Sequence, residues 1–240
     1  MSISSDEAMH WLWSKHPALA YPEHPPLVAY LIYLGTAIFG DNELGVRFFF
    51  VLGIFFLGLI IWELSREKGE KGALFSLFLF HLLPITQLGV LAKTDLPFIV
   101  FYFLAFYALR KNNFYLLAFS LGGAILSKLL GGFLLFSILL YFFLQRIAFW
   151  KRKDFIPSLL LFLLLISPVV IWNITHDFFE IKMRFGHQVA QSFTLRYFPE
   201  LFLSQFLIFS PLVFPLFIYA LFQAFKERDW LILSLSLIHI

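Results

Sequence analysis

Residues 46–65, VRFFFVLGIFFLGLIIWELS, decide the class of protein. The run is uncharged from Phe48 to Trp62 and apolar all round, so a helix built from it has no polar face to turn to water. A bilayer core about 30 Å thick is crossed by roughly 20 such residues. Similar runs at 73–91, 95–109, 114–127, 131–146, 155–172 and 201–223 bring the expected number of crossings to seven. The composition agrees: 60% of the chain is hydrophobic, 14% is charged, and 34 phenylalanines exceed what the core of a 240-residue soluble protein can house. The expected fold class is therefore all-α, a polytopic transmembrane helical bundle. The runs 114–127 and 131–146 are short and meet at Ser127-Lys128-Leu129-Leu130-Gly131-Gly132, so one bent span is the alternative, and it would invert everything downstream.

The basic residues test the count, because Lys and Arg collect in short cytoplasmic loops. Seven crossings place Arg66, Lys68, Lys71, Arg110, Lys111, Arg146, Lys151, Arg152, Lys153, Lys226 and Arg228 on one side with six acids, a formal charge of +5 that marks the cytoplasm. The other side carries seven basic residues against nine acidic ones, −2, and the two sides together make the chain's +3. That outer side also has the long segments, 1–45 and 173–200, with most of the histidines, so function is expected there. The short loops point to a bacterial inner membrane, with the active site facing the periplasm or exterior.

Three parts follow: a first extracytoplasmic loop at 1–45, a transmembrane helical domain at 46–230 with its outer loop at 173–200, and a tail at 231–240. Within the first part Ser4-Ser5-Asp6-Glu7 fits a capping box with Ser4 as N-cap and Glu7 at N3, which puts Asp6 and His10 on one helix face. After Pro25-Pro26, residues 27–39 are apolar but too few to span, and are expected to form a juxtamembrane or re-entrant helix. No signal peptide opens the chain. The end, Leu235-Ser236-Leu237-Ile238-His239-Ile240, matches one reading frame of a sequencing adapter, so a fragment truncated at both ends is expected.

Several motifs lie at the outer ends of the runs. Asp6-Glu7-Ala8 is followed by Glu23-His24-Pro25-Pro26-Leu27 and by Phe39-Gly40-Asp41-Asn42-Glu43-Leu44-Gly45-Val46-Arg47. Further along stand Lys93-Thr94-Asp95-Leu96-Pro97, Gly122-Gly123-Ala124-Ile125-Leu126-Ser127-Lys128, Ser167-Pro168, Trp172-Asn173 with His176-Asp177, and Ser210-Pro211-Leu212. In this order the chain resembles the dolichyl-phosphate-mannose protein mannosyltransferases, glycosyltransferase family 39, whose bacterial relatives include lipid A aminoarabinose transferases. The resemblance implies a bundle of GT-C type and transfer of a sugar from a polyprenyl-phosphate carrier, at the outer membrane face, to a protein, lipid A or another lipid. It also implies that the first acid of the Asp-Glu motif is the general base, and that an acid at the position of Asp95 is functional.

The residues support those roles on physical grounds. A lipid-linked donor needs a cation at headgroup depth and a carboxylate beside the reacting carbon. Asp6 is the candidate base, the alternative being a partner for the helix dipole. Asp95 starts a crossing, where an ionisable group is costly unless paired or functional; its alternative is helix capping with Thr94. Lys128 is the candidate phosphate ligand, the alternative being a side chain that snorkels to lipid headgroups. Glu7, His24, Arg184 and His187 complete the substrate-binding set, although Glu7 fits its capping role better. His24 with Glu23, and His176 with Asp177, are residue types that suit zinc or manganese. No dense ligand motif accompanies them, so no metal site is assigned and a divalent ion stays open as a cofactor. His81 is expected to be buried in a crossing.

Other chemistries lack their signatures. There is no cysteine, P-loop, GxSxG or GxGxxG, and no basic aromatic surface for nucleic acid. The competing reading is a secondary transporter or lipid flippase, which should carry charges at mid-membrane and two similar halves. A non-catalytic assembly subunit is the third.

Overall fold

The computed structural model of the chain describes residues 2–83, 86, 89–183, 199–200, 203 and 213–236. Every regular element among them is helical: α1 (Ser5–Ser14), α2 (Leu27–Phe39), α3 (Glu43–Ser65), α4 (Glu70–Leu82), α5 (Asp95–Arg110), α6 (Phe114–Ser127), α7 (Gly131–Leu144), α8 (Phe155–Thr175), α9 (Val213–Glu227) and α10 (Trp230–Ser236).

Two of these, α3 and α8, are long and apolar enough to cross a bilayer, each with a mean hydropathy of 2.5 over its most apolar stretch. Only 28% of that stretch in α3 and 17% in α8 is buried by the rest of the chain. The core helix of a soluble protein would be mostly buried. Here Phe55, Phe56, Leu160 and Leu164 point outward instead, and apolar residues in that arrangement call for an apolar solvent. α2, α6 and α7 are apolar but shorter.

The helices run alternately between two ends of the bundle. At one end Arg110 binds Glu67 at 3.4 Å and Arg152 binds the Asn112 side chain at 2.9 Å, which joins the loops after α3, α5 and α7. The Arg152 guanidinium also lies 4.4 Å over the Phe114 ring. These are the basic loops that the positive-inside count grouped together. At the other end Lys128, after α6, meets Asp95 at the start of α5.

The single-span alternative for 114–127 and 131–146 does not hold. Phe114 at the start of α6 stacks on Phe142 near the end of α7, 5.8 Å apart and within 9° of parallel, so the two helices form an antiparallel hairpin. The turn is tight because the Gly131 backbone lies against Ala124 and Ile125, where a Cβ would not fit.

Three expectations need amendment. The run at 73–91 is not one continuous helix: α4 ends at Leu82 because Leu83 precedes Pro84, whose ring disfavours the helical conformation for its neighbour, and Leu83 is extended (φ −70°, ψ 132°), while Thr86 beyond it is helical again. His81 is exposed rather than buried, and lines a groove with Ile54, Gly58, Trp62 and Leu77. Trp230–Ser236, at the edge of the expected tail, packs on α7 with Leu231 in the core. Of the run at 201–223, the part from 213 onward belongs to α9 and nearly all the rest lies outside the described residues.

Helices form at both places expected ahead of α3. α2 covers Leu27–Phe39 and packs along α3. The two approach so closely that a Cβ on Gly35 would run into the Gly45 carbonyl, and one on Gly45 into that of Gly40. Asn42 caps α3 by accepting from the Gly45 N–H at 2.9 Å.

α1 lies across this end, and its capping box is complete, with Ser4 N–H donating to Glu7 Oε2 at 2.9 Å and Glu7 N–H to Ser4 Oγ at 3.3 Å. Glu7 is wholly buried. It accepts two hydrogen bonds from Arg47 of α3, at 2.7 and 2.8 Å, and one from Ala92 N–H at 3.1 Å. One turn later His10 Nδ1–H donates to the Ala92 carbonyl at 3.0 Å. Burial pushes the Glu7 carboxyl up, but the Arg47, Ser4 and Ala92 donors outweigh it and hold the pKa at about 2. Trp11 and Lys15 add bonds to Asp41.

Two predictions follow from this packing. Gly45→Val forces α2 and α3 apart and should destabilise the protein by about 1–3 kcal/mol, read as a lower unfolding midpoint in detergent. Because the folded-state pKa of Glu7 is depressed, the stability it contributes is fully present above pH 4.5 and is lost as pH falls toward about 2. Glu7→Gln should cost about 1.5–3 kcal/mol at neutral pH and flatten the acid dependence of Trp11 and Trp13 fluorescence. An unchanged acid profile in that variant would refute the assignment.

Candidate active site

With Glu7 facing inward, its neighbour Asp6 faces out. The Asp6 carboxylate accepts from Lys93 Nζ at 2.7 Å, and both side chains remain accessible, at 53% and 38%. The hydrogen bond from Lys93, and then its charge, hold the Asp6 carboxyl below the usual carboxylate range. Reciprocally, Asp6 holds the Lys93 ammonium above its ordinary value, with Asp95 and Glu7 contributing at longer range. Asp6 is therefore ionised at neutral pH and has a cation in contact.

The second acid follows two residues after Lys93. Asp95 opens the first turn of α5 and pairs with Lys128 Nζ at 2.6 Å, with side-chain exposures of 55% and 23%. Thr94 is the N-cap residue of α5, but its side chain makes no cap hydrogen bond, so the capping alternative for this pair of residues is not realised. Lys128 lies between α6 and α7 where the hairpin turns. Carboxylate and ammonium thus alternate from Asp6 through Lys93 and Asp95 to Lys128 at one end of an apolar bundle.

Beside this line lies an aromatic cluster. Trp13 stacks on Tyr21 (4.8 Å, 5°), and the His10 ring meets Trp13 at 5.3 Å and His24 at 5.7 Å. The Tyr21 hydroxyl donates to the Trp13 carbonyl at 2.9 Å, and Tyr30 donates to that of Ala18 at 2.7 Å, which fixes the loop between α1 and α2. Burial lowers the His10 pKa, so the ring is neutral. With the Nδ1 proton on Ala92, Nε2 is left as a buried acceptor with no hydrogen bond.

The candidates therefore separate. Asp6, Asp95, Lys128 and His24 are brought to one end of the bundle. Glu7, proposed for substrate binding, reaches that end too, but it is sealed beneath α1 with both oxygens engaged, so a substrate would meet it only if α1 lifted away. Arg184 and His187 lie outside the described residues. His176 stacks on Trp172 at 4.3 Å, and its Nδ1 bonds the Trp172 carbonyl at 2.9 Å, closing the end of α8. No group of three or more His, Asp or Glu side chains among the described residues is placed to hold a metal ion. Sequence reasoning passed over Lys93, Arg47 and His10 as site residues. All three lie in or beside the quoted motifs, but Lys93 and Arg47 entered the loop count only as charges, and His10 only as a residue sharing a helix face with Asp6.

Comparison with known proteins places this geometry in a family. Residues 23–172, more than half of the chain, match the family described as dolichyl-phosphate-mannose-protein mannosyltransferase. The matched segment contains Lys93, Asp95 and Lys128, while Asp6 precedes it. An uncharacterized protein of Aquifex aeolicus is 32% identical over 85% of this chain and 44% of its own length. The lipid A galacturonosyltransferase RgtD of Rhizobium johnstonii is 26% identical over 93% of this chain and 50% of its own. The chain thus spans about half the length of the curated relatives it matches. No solved structure matches it at a significant level. Apolar helices with outward-facing phenylalanines, the ordered motifs and the family match agree, and the chain belongs to the dolichyl-phosphate-mannose-protein mannosyltransferase family of membrane glycosyltransferases.

Proposed function

We propose that the protein transfers a sugar from a polyprenyl-phosphate carrier to a hydroxyl of a lipid or protein acceptor at the outer face of a bacterial inner membrane, within a seven-crossing bundle of GT-C type. The observation that carries this reading is the line of two carboxylate–lysine pairs, Asp6–Lys93 and Asp95–Lys128, at one end of a bundle of apolar helices. A lipid-borne phosphate sugar has an anionic head and an apolar tail, and it needs cations and carboxylates where apolar helices end. The basic loops gather at the opposite end, which under the positive-inside rule supports an outward-facing site.

In this reading Lys128 receives the donor phosphate as a point charge. The acceptor oxygen attacks the anomeric carbon. The bond from that carbon to the phosphate oxygen breaks with its electron pair on the phosphate, and the acceptor proton passes to Asp6. Attack opposite the leaving phosphate inverts the anomeric centre. Asp95 sets the position of Lys128. Lipid A is one acceptor to test first, since the name of RgtD specifies lipid A galacturonosyl transfer for that relative.

Asp6→Asn keeps the size and the cap geometry but removes the base. Sugar transfer from a radiolabelled polyprenyl-phosphate-sugar pool, in membranes containing the protein, should fall about 10²–10⁴-fold at unchanged expression. Transfer at the native rate would sink the base assignment, and no transfer by the native protein from any polyprenyl donor would sink the reading as a whole.

A further inference from the structure

The two acids at the start of α1 are held by opposite means. Glu7 and Arg47 are matched by three further hydrogen bonds and by burial, with side-chain exposures of 0% and 22%. Asp6 and Lys93 share one contact in the open, at 53% and 38% exposure. Exposed ion pairs of this kind are weak and readily exchange partners. Lys93 is also anchored on one side only: its backbone adjoins Ala92, whose N–H and C=O are both taken by α1, while its ammonium reaches out to Asp6 with Asp95 nearby. A firmly positioned backbone thus carries a loosely committed cation.

Charge moves during the transfer described above, on which this inference rests. At the start Asp6 is an anion and the donor phosphodiester carries one negative charge. When the sugar leaves, the acceptor proton neutralises Asp6 and the electron pair of the broken bond makes the leaving polyprenyl phosphate a dianion. One negative charge has passed from Asp6 to the phosphate. A cation fixed on Asp6 would oppose that step, because it stabilises the carboxylate and depresses its basicity. A cation that follows the charge would favour it, because it binds the transition state better than the ground state.

We propose that Lys93 is an exchangeable counter-ion: it covers Asp6 in the resting site and passes to the donor phosphate as the glycosyl bond breaks, uncovering Asp6 for the acceptor proton. Until that bond breaks the base is masked, which also suppresses transfer of the sugar to water. Lys128, paired with Asp95, is the standing phosphate ligand, and Lys93 is the positioning residue that couples donor to base. Among the described residues the groups facing Asp6 are Lys93, His10 and His24, and those facing Lys93 are Asp6, Asp95, Glu7 and His10, so none of these supplies another ammonium when Lys93 is removed.

The test compares native protein, Lys93→Met and Lys93→Arg in three readouts: transfer kinetics, the pH profile of transfer, and binding of a synthetic polyprenyl phosphate followed by quenching of Trp11 and Trp13. Lys93→Met should lower kcat about 10–100-fold with a smaller change in acceptor KM, as expected for an interaction gained in the transition state. Its acid limb should move to higher pH, because the Asp6 carboxyl loses the partner that holds it down. Polyprenyl phosphate binding should weaken about 10-fold. Lys93→Arg should restore most of the rate and the native acid limb. If Lys93→Met leaves kcat, the acid limb and polyprenyl phosphate binding unmoved while Asp6→Asn abolishes transfer, the counter-ion is overturned and the base assignment stands. If Asp6→Asn transfers normally, the base assignment falls instead.

Discussion

The Glu7 carboxylate has no access to water, and the outer end of the bundle is organised around satisfying it. A buried charge is tolerated only when paired and hydrogen-bonded, and its partners here come from three separate places: the cap of α1, the first turns of α3 and the chain ahead of α5. Those four donors fix α1 in position and in rotation about its axis. Asp6 and His10 then have one place each to be, the first at Lys93 and the second on the Ala92 carbonyl.

Adjacent acids of the same chemistry thereby acquire different roles. A helix turns about 100° per residue, so when Glu7 points down Asp6 must point aside and outward. The buried acid is saturated with donors and serves the fold. The exposed acid is paired with Lys93 and open to solvent. Asp95 repeats the second arrangement with Lys128, and the small hairpin turn at Gly131 brings that lysine within reach.

Much of this was legible in the residues. The capping box, the extent of α2, the limits of α6 and the clustering of Asp6, Asp95 and Lys128 all follow from local spacing and from loop parity. What escaped is nonlocal or local to a single proline. Nothing in a span pattern says that Arg47 must serve Glu7, forty positions away, or that Ala92 will offer its backbone to α1. Within the run at 73–91 the break at Leu83 is invisible to hydropathy, which counts Leu83 as apolar and ignores the proline after it. Lys93 was treated as a loop charge, since its importance depends on which acid it meets, and that is fixed only once α1 has docked. His81 was read as buried because it lies in an apolar run, which in a bilayer says little about which side of a helix faces the chain.

The docking of α1 also constrains how the protein can be made. Its partners lie 40 and 85 positions downstream, so as the chain emerges from the ribosome the first helix has nothing to hold it until α3 is inserted and the segment at Ala92 has returned to the same side. Through that interval Glu7 lacks the Arg47 and Ala92 donors that hold it in the folded protein. The Asp6–Lys93 pair is thus assembled only once the segment at 92–93 is in place. Any synthesis halted before residue 92 leaves apolar helices without the docked α1, so the Asp6–Lys93 pair cannot precede a correctly threaded chain.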